Sequence, residues 1–411
     1  MDQAISDLVH GFILEKSRRA EPPVRAFTED GFWKGLRTVG TELWLDTGDI
    51  EAASAIWTTE FSALTTNNTL LNKEVQKGIY DDVIRDAGRL LGGRDDDQRV
   101  MEIAFILNAL HGLRLVKHFD AHVSVELHTG TADDVEAAVS YGRRFARISP
   151  ESFIVKVPLT PAGFIATRTL RKEGIPVNFT LGFSARQNYL ITRFASPSYV
   201  NVFLGRLNSY VADNALGDGL LAGEKATLAS QAAVTRASAK AAARTRQIAA
   251  SMRGGSQVRD LAGVDVMTIP TATAKEAREK LDGKWSSRLR ERYAVTLASG
   301  VDEQASGISV LWDVTEREEK LAASLADGTP KSPEELVATA HDLGAGDVFP
   351  RFSPQDMSFL ASEGKIPKHS RWAQRIAKRE VAIDSLLSGA GLQSFTADQK
   401  ALDDRIRRLI A

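Results

Sequence analysis

The chain has 411 residues, with 52 Lys plus Arg against 53 Asp plus Glu, a formal charge of −1, 43% apolar residues and no cysteine. Lack of cysteine excludes disulfides, thiolate metal sites, thiol nucleophiles and iron–sulfur clusters. Near-neutrality provides no global field for gripping nucleic acid or an anionic membrane, and no apolar run reaches the roughly 18 residues of a spanning helix. The start, acidic at Asp2 and Asp7, lacks the basic beginning and apolar core of a signal peptide, so a soluble cytoplasmic protein is expected.

Residues 1–40 read as one or two helices that cap the neighbouring domain. Short apolar, β-branched runs then alternate with long amphipathic stretches, the pattern of a parallel sheet with covering helices. The candidate strands are Glu42–Asp46, Phe61–Thr66, His122–Leu127, Phe153–Val157, Val177–Phe183, Tyr199–Leu204, Arg246–Ala250 and Val264–Ile269. The seventh is the weakest, because Ala and Gln are poor strand formers. Between strands, Asp133–Ile148 and Thr160–Glu173 repeat apolar residues every three to four positions. Pro161 suits a first helical turn and Gly174 a helix end. Eight strand–helix units predict a (β/α)8 barrel over 41–285, a doubly wound open sheet being the alternative. The Ala-rich run Ala226–Arg246 reads as a solvated outer helix rather than a basic binding face. Residues 286–411 read as a mostly helical, charge-rich extension packed on the barrel, with a turn around Gly328–Ser332.

In such a barrel the loops after the strands build the active face. The proposed strand ends carry Asp46, Asn67, Glu126, Lys156, Asn178 with Thr180, Arg206 and Arg253, all of them polar. Lys156 stands out within FIVKVP, where alternation points it to the same face as Ile154 and Pro158. A cation in a strand covered on both faces is costly unless paired or neutral. The simpler reading is a lysine snorkelling to solvent from an edge strand; the functional one is a nucleophilic amine that condenses with a carbonyl to a Schiff base. Asp46 and Glu126 would each serve as well for a cap or a surface partner, Asp46 standing before a turn-prone Thr-Gly-Asp; together they could supply the acid and base that imine chemistry requires. Arg206 and Arg253 sit beside Gly205, Gly254 and Gly255, glycines that would let backbone N–H groups approach an anion gripped by guanidinium. GDGLLAGEKAT at 217–227 fails the phosphate-loop spacing, no His pair has metal-ligand spacing, and His128 reads as a turn histidine, so neither metal nor cofactor is expected.

Laid out along the chain, these stretches resemble the transaldolase family: LDTGDI at 45–50, TTNNTLL at 65–71, VSVEL at 123–127, IVKVPLTPAGFIA at 154–166, GIPVNFTLGFSARQ at 174–187, VFLGR at 202–206, SMRGGSQVRDLAGVDVMTI at 251–269 and the closing FTADQKALDDRIRRLI at 395–410. The resemblance implies a cofactor-free enzyme of the non-oxidative pentose phosphate pathway that acts on sugar phosphates. Lys156 would form a Schiff base with a ketose phosphate such as fructose 6-phosphate or sedoheptulose 7-phosphate. Glu126, through a water held with Thr180, would move protons, and Asp46 would take the C4 hydroxyl proton. Asn67 and Asn178 would hold the three-carbon unit, and Arg206 and Arg253 the phosphate. Related fructose-6-phosphate aldolases carry Tyr and Gln where this chain has Phe203 and Glu126, which favours transfer over release. Departures from the family pattern are Asn68 for a usual Pro, Asn201 for a usual Ser near the Schiff-base pocket, and Gly254 for a common Asn.

The rival readings are an aldolase releasing free dihydroxyacetone and a sugar-phosphate-binding barrel without turnover. A nucleic-acid adaptor using the basic segment Lys365–Arg379 with Trp372 is the remaining one, and a solvated helix face explains that segment as well. No nucleic-acid or membrane partner is expected; a homodimer is left open.

Overall fold

Strands that are apolar on both faces need cover on both sides and leave two edges exposed unless the sheet closes on itself. Closure is the solution in the computed structural model of this chain, which describes residues 3–19, 26–239, 241, 243–327 and 330–411. The parallel strands β1 (Glu42–Asp46), β2 (Phe61–Thr65), β3 (His122–Glu126), β4 (Phe153–Pro158), β5 (Val177–Thr180), β6 (Tyr199–Phe203), β7 (Arg246–Ala250) and β8 (Val266–Pro270) pair in chain order, and β1 closes on β8. The (β/α)8 expectation holds and the open sheet is excluded. β7 forms despite its composition because it pairs along both edges, with β6 and β8, and pairing outweighs propensity. β5 stops at Thr180, short of the expected Phe183, since Leu181 turns into the left-handed region (φ 68°).

The helix Val135–Ile148 is capped by the Asp134 side chain, and Pro161–Lys172 by Thr160 with Pro161 in its first turn. The Ala-rich helix runs only from Ala222 to Ser238, and Arg246 at its expected end belongs to β7. Of the expected turn at 328–332, Gly328 and Thr329 lie outside the described residues, while Ser332 caps the helix Pro333–Asp342. Three helices, Asn68–Gln76, Asp81–Leu90 and Asp96–Phe119, separate β2 from β3 where one was expected. Residues 281–307 contain no helix; they run along the barrel wall, tied by a bridge from Leu297 to Gly217 and by Trp285 Nε1 donating to the Phe32 carbonyl.

The N-terminal end of the barrel is plugged. Trp44 is fully buried, packs edge-on against Tyr199 at 4.7 Å and donates to Glu42, which pairs with Arg246. The cavity of the barrel opens instead at the C-terminal end. Over that end lies the last helix, Ile383–Ile410, which packs against all three helices between β2 and β3. Its start is locked by Arg186, just past β5: this guanidinium, 1% exposed, meets Asp384 at 2.8 Å through two nitrogens, Asp347 at 2.9 Å and Glu318 at 3.3 Å.

One arginine thus holds three buried carboxylates from three separate segments. Burial pushes the Glu318 carboxyl up, but Arg186 and the Thr315 hydrogen bonds outweigh it and hold Glu318 below its ordinary value. A depressed carboxyl contributes stability above its unfolded pKa and loses it as pH falls through the folded one. Arg186→Met should therefore cost about 3–5 kcal/mol at neutral pH, as breaking a buried pair does. Thermal unfolding should show the deficit narrowing in acid; a constant gap across pH would mean that the carboxylates do not depend on Arg186.

Candidate active site

Strand register brings the central groups together. Glu126 pairs with Lys156 and Lys156 with Asn178 across β3, β4 and β5, so alternation sends all three side chains into the barrel. Above them opens a cavity of about 320 Å³ lined by Asp46, Asn67, Lys156, Asn178, Asn201, Phe203, Arg206 and Arg253. Eight of the ten residues proposed from the sequence share this one cavity. Glu126 lies against Lys156, and Thr180 stands one inward position past Asn178 on β5.

Lys156 is 4% exposed. Its Nζ lies 3.7 Å from Glu126 Oε1 and donates to the Thr66 carbonyl at 3.1 Å, with the Phe395 ring centre 5.9 Å away. It does not snorkel to solvent. Burial raises the Glu126 carboxyl, with Asp46 adding to the rise, while Lys156, the Asn68 N–H and Arg206 pull it down. Burial raises Asp46 too, against Lys156, a 2.9 Å bond from Thr65 Oγ1, and Arg253. The turn after β1 is capped not by Asp46 but by Asp49, whose carboxylate accepts from the Glu51 and Ala52 N–H groups. Asp46 is left free to face the cavity.

The amides form a chain. Asn201 Nδ2 donates to Asn178 Oδ1 at 3.3 Å, and Asn178 Nδ2 to Ser124 Oγ at 3.1 Å. Asn201 Oδ1 and Thr180 Oγ1 are buried with no partner among the described residues. Asn67 caps the helix Asn68–Gln76 through its Oδ1 at 2.9 Å, which leaves its N–H2 group for the cavity.

Arg206 is buried, stacked 5.2 Å over Phe203 and 5.6 Å over Phe395, and burial together with Arg253 lowers its pKa to about 10. The glycines beside the two arginines have a different reason from the one expected. A Cβ on Gly205 would stand 2.2 Å from the Ser251 carbonyl oxygen and 2.7 Å from Arg253 Cγ, and one on Gly255 would meet the backbone of Ala277 at 2.7 Å. Gly205 permits the loops after β6 and β7 to pack closely, which brings Arg253 beside Arg206, and Gly255 permits the loop after β7 to pack on the helix Thr271–Lys280 that follows β8.

His128 is a turn residue: Nδ1 accepts from the Gly130 N–H at 2.9 Å and Nε2 faces Asp403 at 3.3 Å. The basic segment gives no stacking surface, since Trp372 is buried, Arg371 pairs with Glu363, and Arg375 with Asp356 and Glu380. Among the described residues no cluster of three His, Asp or Glu could hold a metal ion, and no helix is long and apolar enough to cross a membrane. Thr65 and Thr268, joined at 2.7 Å, also line the cavity, as do Lys365 and Phe395 from the C-terminal region. The threonines were visible as hydroxyls in otherwise apolar strands; Lys365 was visible only as the first cation of the basic segment and Phe395 only as the start of the closing stretch, neither as part of this cavity.

Comparison with known proteins fits this geometry. The family profile "Transaldolase/Fructose-6-phosphate aldolase" matches residues 43–314. The chain belongs to that family. It is an enzyme of the transaldolase and aldolase type. A transaldolase of Xanthomonas campestris pv. campestris (strain B100) is 28% identical over 314 residues, 73% of this chain and 94% of that protein. One of Xanthomonas euvesicatoria pv. vesicatoria is 30% identical over 249 residues, covering 58% of this chain and 74% of the relative. A probable transaldolase of Thermus thermophilus is 35% identical over 240 residues, covering 57% and 89%.

The departure at Asn68 has a visible consequence. Its backbone N–H donates to Glu126 Oε2 at 3.1 Å, a bond that proline could not make, and its own Nδ2 is buried without a partner among the described residues. Position 68 is the first of its helix and Asn67 before it is extended (φ −155°, ψ 172°), so Asn68→Pro should fold. Loss of the donor removes a charge-assisted bond of a class worth about 1.5–3 kcal/mol. The acid limb of the pH–rate profile should then move to higher pH, with a lower melting temperature at neutral pH; a limb that stays in place would show that this bond does not serve Glu126.

Proposed function

We propose that this enzyme is a transaldolase in action: it moves a dihydroxyacetone unit from a ketose phosphate to an aldose phosphate through a Schiff base on Lys156. The observation that carries the reading is the buried amine of Lys156 beside Glu126, in the barrel cavity that also holds Asp46. Fructose 6-phosphate or sedoheptulose 7-phosphate would be the donor, in the cytoplasm. We read residues 1–40 and 286–411 as extensions of a single catalytic unit over 41–285, because the last helix supplies Phe395 to the cavity wall.

Lys156 attacks C2 after giving up a proton, and Glu126, 3.7 Å away, is the group placed to take it and to return it as water leaves the carbinolamine. Burial, which raises its carboxyl, suits Glu126 to carrying that proton. Thr180, with its uncommitted hydroxyl, is placed to hold a water on this path. Asp46 accepts the C4 hydroxyl proton. The C3–C4 bond breaks, its electrons pass into the protonated imine, and an aldose phosphate departs. The remaining enamine then adds to an acceptor aldehyde by the reverse steps. Asn67 and Asn178 hold the hydroxyls of the three-carbon unit, Asn201 steadies Asn178, and Arg206 with Arg253 binds phosphate. Phe203, edge-on to Phe183 at 5.6 Å, puts an apolar wall in the cavity, which disfavours hydrolysis of the intermediate.

Treatment with fructose 6-phosphate and borohydride should leave a three-carbon adduct on Lys156, located by mass spectrometry. Lys156→Met should form no adduct and lose all measurable turnover with an intact fold. Adduct elsewhere, or none on the wild type, defeats the reading. Sedoheptulose 7-phosphate formed with erythrose 4-phosphate supports transfer, whereas free dihydroxyacetone irrespective of acceptor makes the enzyme an aldolase. Glu126→Gln should slow turnover about 100-fold or more, the scale of positioned acid–base catalysis, and an unchanged rate would remove Glu126 from the proton path.

A further inference from the structure

We infer that Lys365, from the C-terminal extension, is a third phosphate-binding cation besides Arg206 and Arg253; the inference rests on the sugar-phosphate reading and names one more residue of the same site. Besides Lys156, which faces Glu126, four cations line the cavity, Lys73, Arg206, Arg253 and Lys365, and among the described residues none of these four has an ion-pair partner. Arg206 Nη1 is buried with no hydrogen bond among the described residues. Lysines and arginines converging on one cavity without counter-ions repel each other until an anion arrives. The repulsion is felt at Lys365, whose pKa is drawn down by partial burial and then by Arg206, with Arg253 and Lys73 acting the same way and Asp398 alone opposing.

The loop bearing Lys365 is built to stay in place. It leaves the helix Pro354–Glu363 through Gly364 in the left-handed region (φ 71°). On its far side the Glu363 carboxylate accepts from the Lys368 N–H at 3.0 Å and from Trp372 Nε1 at 3.2 Å. Asn214 ends the helix Leu204–Asp213, donating to the Pro367 carbonyl at 3.0 Å and accepting from the His369 N–H at 2.8 Å. That same helix carries Arg206 in its first turn, so lysine loop and arginine share one rigid support. Among the described residues, the Lys365 side chain makes no bond that would hold it back from a ligand.

Calorimetric titration with inorganic phosphate tests this without any turnover. Lys365→Met should bind phosphate about 5–10-fold more weakly than the wild type, the scale of one charge-assisted contact in a solvent-screened site, and Lys365→Arg should restore the affinity. In assays, Lys365→Met should raise KM for fructose 6-phosphate by a similar factor at unchanged kcat. Its borohydride trapping with unphosphorylated dihydroxyacetone should match the wild type. Equal phosphate affinity in Lys365→Met and wild type overturns the inference even where trapping succeeds. Failure of trapping in the wild type would instead sink the Schiff-base reading and leave the phosphate result to decide Lys365 by itself.

Discussion

An amine and a carboxyl group held side by side in a dry barrel are the constraint on which the remaining structure depends. Taking two ions from water costs several kcal/mol each, and their attraction offsets that only with good geometry and further hydrogen bonds. Here the geometry comes from the backbone: Glu126 and Lys156 are register partners on adjacent parallel strands. The further bonds come from the Thr66 carbonyl to Lys156 and from the Asn68 N–H to Glu126. A one-residue slip of β4 would turn Lys156 into the helix layer and bring Val155 and Val157 inward. Closure into eight paired strands leaves no free edge along which such a slip could begin. The barrel therefore fixes the distance between the amine and the carboxyl group more tightly than any loop could.

The C-terminal extension completes the site it covers. Gly391 on the last helix is where a Cβ would stand 3.0 Å from Arg206 Nη1 and 2.8 Å from Leu181 Cδ2, and Phe395 comes one turn later, over Lys156 and Arg206. A roof this close must be held, and the Arg186 cluster holds it from the start of that helix, where Asp384 lies 198 residues from Arg186 in sequence. Charges that form no part of the proposed chemistry are thus what positions the residues that do.

The barrel and most of the cavity were legible in the sequence because both follow short-range rules. Two-sided burial makes strands apolar, so a Lys, Glu or Asn at an inward position stands out, and Asp46, Glu126, Lys156 and Asn178 could be found strand by strand. Where several local patterns compete, reading was less secure: Asp46 and Asp49 both suit a turn, and only hydrogen bonding assigns the cap to Asp49. Gly205 and Gly255 were visible as glycines, but their reason, contact with Ser251 and Ala277, is tertiary. Lys365, Phe395 and Arg186 were beyond reach for the same cause, since each acts on segments far away along the chain. Residues 281–307 carry a helix-like share of charge yet line the barrel wall without helical bonds, their conformation set by contacts such as Trp285 with Phe32 and Leu297 with Gly217.

Charge is distributed unevenly along the depth of the cavity, and that has consequences for how a substrate enters. Asp46 and Glu126 surround Lys156 at the bottom, where burial raises both carboxyls. The exposed cations of the cavity are Lys73, Arg253 and Lys365, and Arg206 is buried beside Arg253. An elongated molecule with a dianion at one end and a neutral carbonyl at the other has one favourable orientation in this field, carbonyl inward. In the reverse orientation a phosphate would be pressed against two carboxyl groups in a low-dielectric site, a penalty of several kcal/mol. Selection of a singly phosphorylated sugar thus needs no close fit around each hydroxyl. Under the proposed transfer, the same gradient would act on an acceptor aldose phosphate, which would present its aldehyde to the enamine while its own phosphate returned to the arginines, so that a single anion site would serve both halves of the reaction.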